Sequence, residues 1–154
     1  MKPKRIILIR HGQSEGNVDK SVYAKVPDHE IKLTTKGEHQ ALAAGAELAE
    51  LFGSETVRVY VSPFKRTRQT YEKLSNRIAE NVVEVWEDPR IREQEYGHWN
   101  IAHNRAEILE QRRQYGKFYY RLLGGESPAD VYDRMSTFLE SLYRAFEKPN
   151  FPEN

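Results

Sequence analysis

Arg10, His11 and Gly12 follow directly on the apolar run Ile6 to Ile9, and a second arginine, Arg66, stands three residues after Pro63. An imidazole and a guanidinium beside a glycine suit an anion. The glycine lets the backbone turn sharply and removes a side chain that would keep a ligand from main-chain N–H groups. Arg66 adds a planar fork able to hold two oxygens of a phosphoryl group.

These residues need a scaffold that brings them to one place. Ile6 to Ile9 has no polar alternation, the pattern of a strand covered on both faces, which sets Arg10 and His11 at its carboxyl end, where open α/β sheets keep their ligands. A polar loop to Lys32 follows. Thr35 with Glu38 has the capping-box spacing and Gly53 is a stop signal, which predicts a helix between them. Val57 to Val61 reads as the second strand. Ser62-Pro63 reads as an N-cap followed by proline at the first helical position, opening a helix through Thr70 and Leu74 toward Ala79. Arg66 then shares a sheet edge with His11. Val82 to Trp86 reads as the third strand. After a long charged and aromatic section, Ser127-Pro128 with Asp130 opens a helix to about Lys148, whose apolar positions Val131, Met135, Phe138, Leu139, Leu142 and Phe146 recur at helical spacing. Strands alternating with helices predict an α/β fold, a mostly parallel sheet with helices on both faces.

Composition bounds the function. With 154 residues, 38% of them hydrophobic, the chain suffices for one core and one site. Lys and Arg number 24 against 23 Asp and Glu, so no global field argues for nucleic acid or an acidic membrane. The absence of cysteine excludes disulfides, thiolate nucleophiles and sulfur-ligated metals. The early apolar run is four residues long, too short for a membrane span or a signal peptide. The expectation is a soluble, cytoplasmic protein. The Pro- and Asn-containing stretch Pro149 to Asn154 alone reads as linker-like.

Taken together, Arg10-His11-Gly12 with Asn17, Leu33-Thr34, Gly37, Gln40-Ala41, Ser62-Pro63 with Arg66, Gln69 and Thr70, Glu93 with Tyr96-Gly97, and Gly125-Glu126-Ser127 resemble the histidine phosphatase superfamily, with its phosphoglycerate-mutase-like fold. The pattern is closest to the small plant and fungal phosphoglycerate-mutase-like proteins and runs in family order over about residues 5 to 146. The resemblance implies metal-independent phosphomonoester hydrolysis of a small phosphorylated substrate. His11 is then the nucleophile that becomes a phosphohistidine, and Arg10 and Arg66 hold the phosphoryl oxygens. Asn17 and Gly12 bind substrate beside them, and Glu93 protonates the leaving group. The chemistry agrees. An imidazole attacks phosphorus only when unprotonated, so a hydrogen bond must fix its proton on the other nitrogen. Two guanidiniums oppose its protonation and offset phosphate charge in the transition state. Phosphoryl transfer needs mainly positioning and electrostatics, so arginines can do the work of a metal, and no metal or cofactor is expected. His98 and His103 lack the supporting carboxylates of a metal site.

Other residues have plainer readings. Glu95 is chemically equivalent to Glu93, and the family pattern, which places the acid four residues before the glycine, here Gly97, selects Glu93. Glu15 reads as a cap for backbone amides, and Glu126 as a charge favoured before a helix N-terminus. Tyr115, Phe118, Tyr119 and Tyr120 read as a satellite core, and Lys117 and Arg121 as solvated cations. His29 belongs to a proline-flanked loop and His39 to the edge of a packed helix face.

The sequence also departs from the family. Members place a second histidine, followed by glycine, at the end of a strand that comes after the last long helix and lies beside the first strand. This sequence ends at Asn154, where that strand is expected. The expectation is one domain over residues 1–154, incomplete at its C-terminal side, truncated before its last core strand and impaired in activity, with an open sheet edge as a surface for self-association. A non-catalytic phosphate-binding regulatory relative and a phosphoglycerate-type mutase remain as alternatives. Substrate identity and oligomeric state are not legible.

Overall fold

The computed structural model describes residues 3–97 and 105–147; His98, His103 and the tail from Pro149 lie outside them. Two strands, β1 (Val57–Val61) and β2 (Val82–Glu87), pair in parallel, with Arg58 opposite Glu84 and Tyr60 opposite Trp86. Both are rich in β-branched and aromatic residues, which suit a pleated, half-covered surface. The Arg58 guanidinium meets the Glu84 carboxylate at 2.9 Å across the pair. Parallel strands need a long crossover, here the helix α3 (Lys65–Ile78).

The helix α2 (Thr35–Phe52) packs against α3 through Leu48, Phe52, Leu74 and Ile78, and this cluster extends to Val57 and Val82 of the sheet. Burying four such side chains stabilises the layer by roughly 1.5–3 kcal/mol each. The helices approach closely at Gly45, where a Cβ would stand 2.6 Å from the Leu74 carbonyl oxygen. On its other side the sheet meets α5 (Pro128–Glu147), whose Phe138 ring packs edge-on to Tyr60 at 5.5 Å. The result is an α/β fold, a parallel sheet with helices against it. No helix among the described residues is long and apolar enough to cross a membrane.

Several elements differ from the sequence reading. Ile6 to Ile9 forms no strand: it pairs with nothing among the described residues, and Ile6 and Leu8 are 64% and 92% exposed. An apolar run describes what a strand would bury, but a strand exists only through a neighbour's ladder. The segment is fastened instead at its start, where Lys4 and Arg5 engage Glu55, and beyond Arg10. The polar loop to Lys32 contains a one-turn helix α1 (Glu15–Val18) and two 3₁₀ turns, Lys20–Ala24 and Asp28–Glu30. The cap of α2 is Thr34 rather than Thr35, because its Oγ1 accepts from Gly37 N–H at 3.1 Å. The next helix begins at Lys65, not Pro63: Phe64 is buried in an extended conformation, and the hydroxyl of Thr67 reaches back to the Ser62 carbonyl at 2.7 Å. The charge-rich segment Arg105–Tyr115 forms α4, which polar residues all round had concealed. Ser127 and Asp130 cap α5 reciprocally, but of its expected stripe only Phe138 is buried and Leu139 is exposed.

Candidate active site

The segment from Gly12 to Ser14 is pinned by side chains. Gly12 N–H donates to Thr70 Oγ1 at 3.1 Å, and Gln13 N–H to Gln40 Oε1 at 2.8 Å. The Gln13 carbonyl accepts from Thr34 N–H at 2.9 Å. Beyond them, a single antiparallel bridge joins Ser14 to Leu33, and Gln69 Oε1 accepts from Leu33 N–H at 2.9 Å. Gly12 therefore departs from its expected role. Its amide is committed to Thr70, and the absence of a side chain serves packing, since a Cβ there would lie 2.9 Å from the Cα of Gly37.

His11 Nδ1 lies 2.7 Å from the Gly12 carbonyl oxygen. A carbonyl only accepts, so Nδ1 carries the proton and Nε2 keeps its lone pair. Burial lowers the pKa of His11 below its ordinary 6.5, and Arg66 and Arg10 add to the effect, against the Gly12 hydrogen bond and the charge of Glu93.

Arg10, His11, Asn17, Arg66 and Glu93 line one cleft of about 380 Å³, within the range of small-molecule sites. They come from three stretches of the chain: residues 10–17, the first turn of α3 and the segment after β2. Asn17 Oδ1 accepts from Ser14 N–H at 3.0 Å, so the donor half of its amide is the half available to an anion. Arg66, in the first turn of α3, is 3% exposed; its guanidinium lies over the Phe64 ring at 4.8 Å and reaches Glu93 at 3.5 Å. Lys20, Tyr23, Asp28 and Tyr96 complete the wall. Asp28 was missed by the sequence reading, since a carboxylate in a proline-flanked turn has the signature of a solvated residue. No periodicity marks it; its burial arises from the contact with Arg66.

Glu93 and Glu95 separate clearly. Glu95 Oε1 accepts from Gly97 N–H at 3.1 Å, a contact within its own loop, whereas Glu93 borders the cleft. The loop is held by Glu126, whose Oε2 accepts from Glu95 N–H and from Arg134, both at 3.0 Å, while Oε1 pairs with Arg92. Arg134 in turn donates to the Glu93 carbonyl at 3.2 Å. Glu126 thus acts from behind the loop and does not line the cleft. Glu15 accepts from Lys32 N–H at 3.4 Å, the backbone role expected of it. Tyr115, Tyr119 and Tyr132 are largely exposed, so the aromatic group is a surface cluster around Phe118 rather than a satellite core.

The fold and this constellation meet in a known family. The profile of the histidine phosphatase superfamily (branch 1) matches residues 6–150, and the chain belongs to that family. It is 44% identical to a phosphoglycerate mutase-like protein of Arabidopsis thaliana over 94% of this chain and 55% of that protein. It is 27% identical to a broad-range acid phosphatase of Saccharomyces cerevisiae, over 94% of this chain and 70% of that enzyme. Among solved structures, a mycobacterial glucosyl-3-phosphoglycerate phosphatase in complex with VO3 superposes with a TM-score of 0.64 at 25% identity, covering 87% of this chain and 62% of that one. The chain spans about half the length of the Arabidopsis relatives it matches.

Proposed function

We propose that the cleft carries out metal-independent phosphomonoester hydrolysis through a phosphohistidine on His11. The observation that carries this reading is the 2.7 Å hydrogen bond from His11 Nδ1 to the Gly12 carbonyl, which leaves Nε2 unprotonated beside Arg10 and Arg66. In the first step the Nε2 lone pair forms a bond to phosphorus as the bond to the ester oxygen breaks, and Glu93 gives its proton to that oxygen. In the second, water attacks phosphorus, the P–N bond breaks, its electron pair returns to Nε2, and Glu93 recovers the proton. Arg10, Arg66 and the amide of Asn17 hold the phosphoryl oxygens throughout; positioning and charge supply most of the acceleration. The relatives named as phosphatases support a small phosphorylated substrate.

The exposed run Ile6 to Ile9 supports a second part of the reading: a further strand laid along this segment completes the domain, and the chain turns over slowly without it. A single-turnover test is therefore the appropriate one. With a radiolabelled aryl phosphate, acid-labile label is expected on His11, absent from His11→Ala and insensitive to a strong chelator. Label on another residue, or a chelator-sensitive yield, overturns the mechanism.

A further inference from the structure

Asp28 has no task in the scheme above, yet it lines the same cleft. Its side chain is 7% exposed. Its backbone carbonyl and its Oδ1 both accept from Nη1 of Arg66 at 2.8 Å, so that amino group is fully occupied. With the Phe64 ring against the guanidinium, Arg66 cannot turn without losing two hydrogen bonds, and its Nη2 edge is left toward Glu93 and the cleft. Burial raises the pKa of Asp28 above the ordinary carboxylate value even with Arg66 beside it. An uncharged acceptor of the same shape keeps the hydrogen bond to Arg66 but leaves that buried cation without its partner charge, at a cost in stability.

Charge gives it a further consequence. Arg10, Lys20 and Arg66 face the cleft as cations, Asp28 and Glu93 as carboxylates, and Glu95 adds a negative charge felt at Asp28. His11 is held below 6.5, and burial raises Tyr23 above its ordinary 10, so neither changes charge between neutral and mildly alkaline pH. Of the groups that line the cleft itself, three cations and two carboxylates leave one net positive charge, which a singly ionised phosphoryl group matches and a doubly ionised one exceeds.

We propose that Asp28 positions Arg66 for the phosphoryl group and sets the charge of the cleft, so that a doubly ionised phosphoryl group enters only together with one proton. The proton is carried by the phosphoryl group or by Glu93. This rests on the function proposed above.

The test is binding of inorganic phosphate to the full chain by calorimetry, from about pH 7 to about pH 8.5, across the second ionisation of the ligand. Wild-type affinity falls by up to about tenfold per pH unit. Asp28→Asn, which keeps an acceptor for Arg66, flattens this dependence and binds roughly tenfold more tightly than wild type at the alkaline end. Asp28→Ala binds more weakly than Asp28→Asn across the range, because Nη1 of Arg66 loses its side-chain acceptor. Parallel pH curves for wild type and Asp28→Asn would overturn the role of Asp28 while leaving the site intact. Failure of the wild-type chain to bind phosphate at any pH would overturn the site, and this role with it.

Discussion

Replacing Gly37 with alanine sets two forces against each other. Gly37 lies in the first turn of α2, where helix propensity alone favours alanine by about 1 kcal/mol. In this fold, however, a Cβ at residue 37 would lie 2.8 Å from Gln13 N and 2.9 Å from Gln13 C, and closer still to the Gln13 carbonyl oxygen. All three are backbone atoms and none can rotate aside, so α2 and the segment from Gly12 to Ser14 must separate. Overpacking of this kind costs about 1–3 kcal/mol. Separation also strains the hydrogen bonds from Gln13 N–H to Gln40 and from Thr34 N–H to the Gln13 carbonyl, each worth about 1 kcal/mol. After subtracting the propensity gain, Gly37→Ala is expected to lose about 2–4 kcal/mol, a fall of roughly 4–16 °C in melting temperature for a chain of this size. Because His11 precedes the displaced segment, phosphate affinity should fall with it, by about tenfold or more. Thermal melts and phosphate titrations on the same preparation decide the matter. An unchanged or raised melting temperature, the result propensity alone predicts, would refute the close approach of α2 to the segment that follows His11.

Two further outcomes concern charge. Burial opposes ionisation of Glu126, yet hydrogen bonds from Arg134 and Glu95 N–H, with the charges of Arg134 and Arg92, hold its pKa below the ordinary 4.5. A carboxyl depressed in the folded state contributes stability that is present above its unfolded pKa and lost as pH falls through the folded one. Glu126→Gln should therefore destabilise the chain at neutral pH and narrow its difference from wild type under acid, as denaturant titrations at several pH values would show; a difference independent of pH would contradict the ion-pair account. The lowered pKa of His11 keeps its imidazole neutral to lower pH than an ordinary histidine. Removing one cation with Arg10→Gln should raise that pKa, read from the ring-proton shifts by NMR, and an unchanged value would place Arg10 away from the imidazole.

Much of the scaffold was legible because its signals are local. β1, β2, α2 and α5 each carry their own periodicity and terminal residues, and Ser127 with Asp130 marks the start of α5 by chemistry confined to four positions. Ile6 to Ile9 was misread for the opposite reason: nothing within the run records whether a neighbour is present. In the site, the histidine, the arginines and the choice of Glu93 over Glu95 came from motif spacing, and the structure adds what spacing cannot carry. Gly12 was noticed for a turn, whereas its lack of a side chain admits Gly37. Asp28 was missed because burial and pairing with Arg66 are properties of two segments once folded together. Glu126 was read as a helix-terminus charge, while its contacts run to the loop that carries Glu93.

The pinning of Gly12 and Gln13 by Thr70, Gln40 and Thr34 has a mechanical consequence. A nucleophile carried on a laddered strand moves whenever the neighbouring strand moves. Here the residues just after His11 are clamped to two packed helices through individual hydroxyl and amide groups, so the His11 imidazole is indexed to the α2–α3 layer rather than to the sheet. Substitutions at Thr34, Gln40 or Thr70 would therefore retune the placement of His11 one contact at a time.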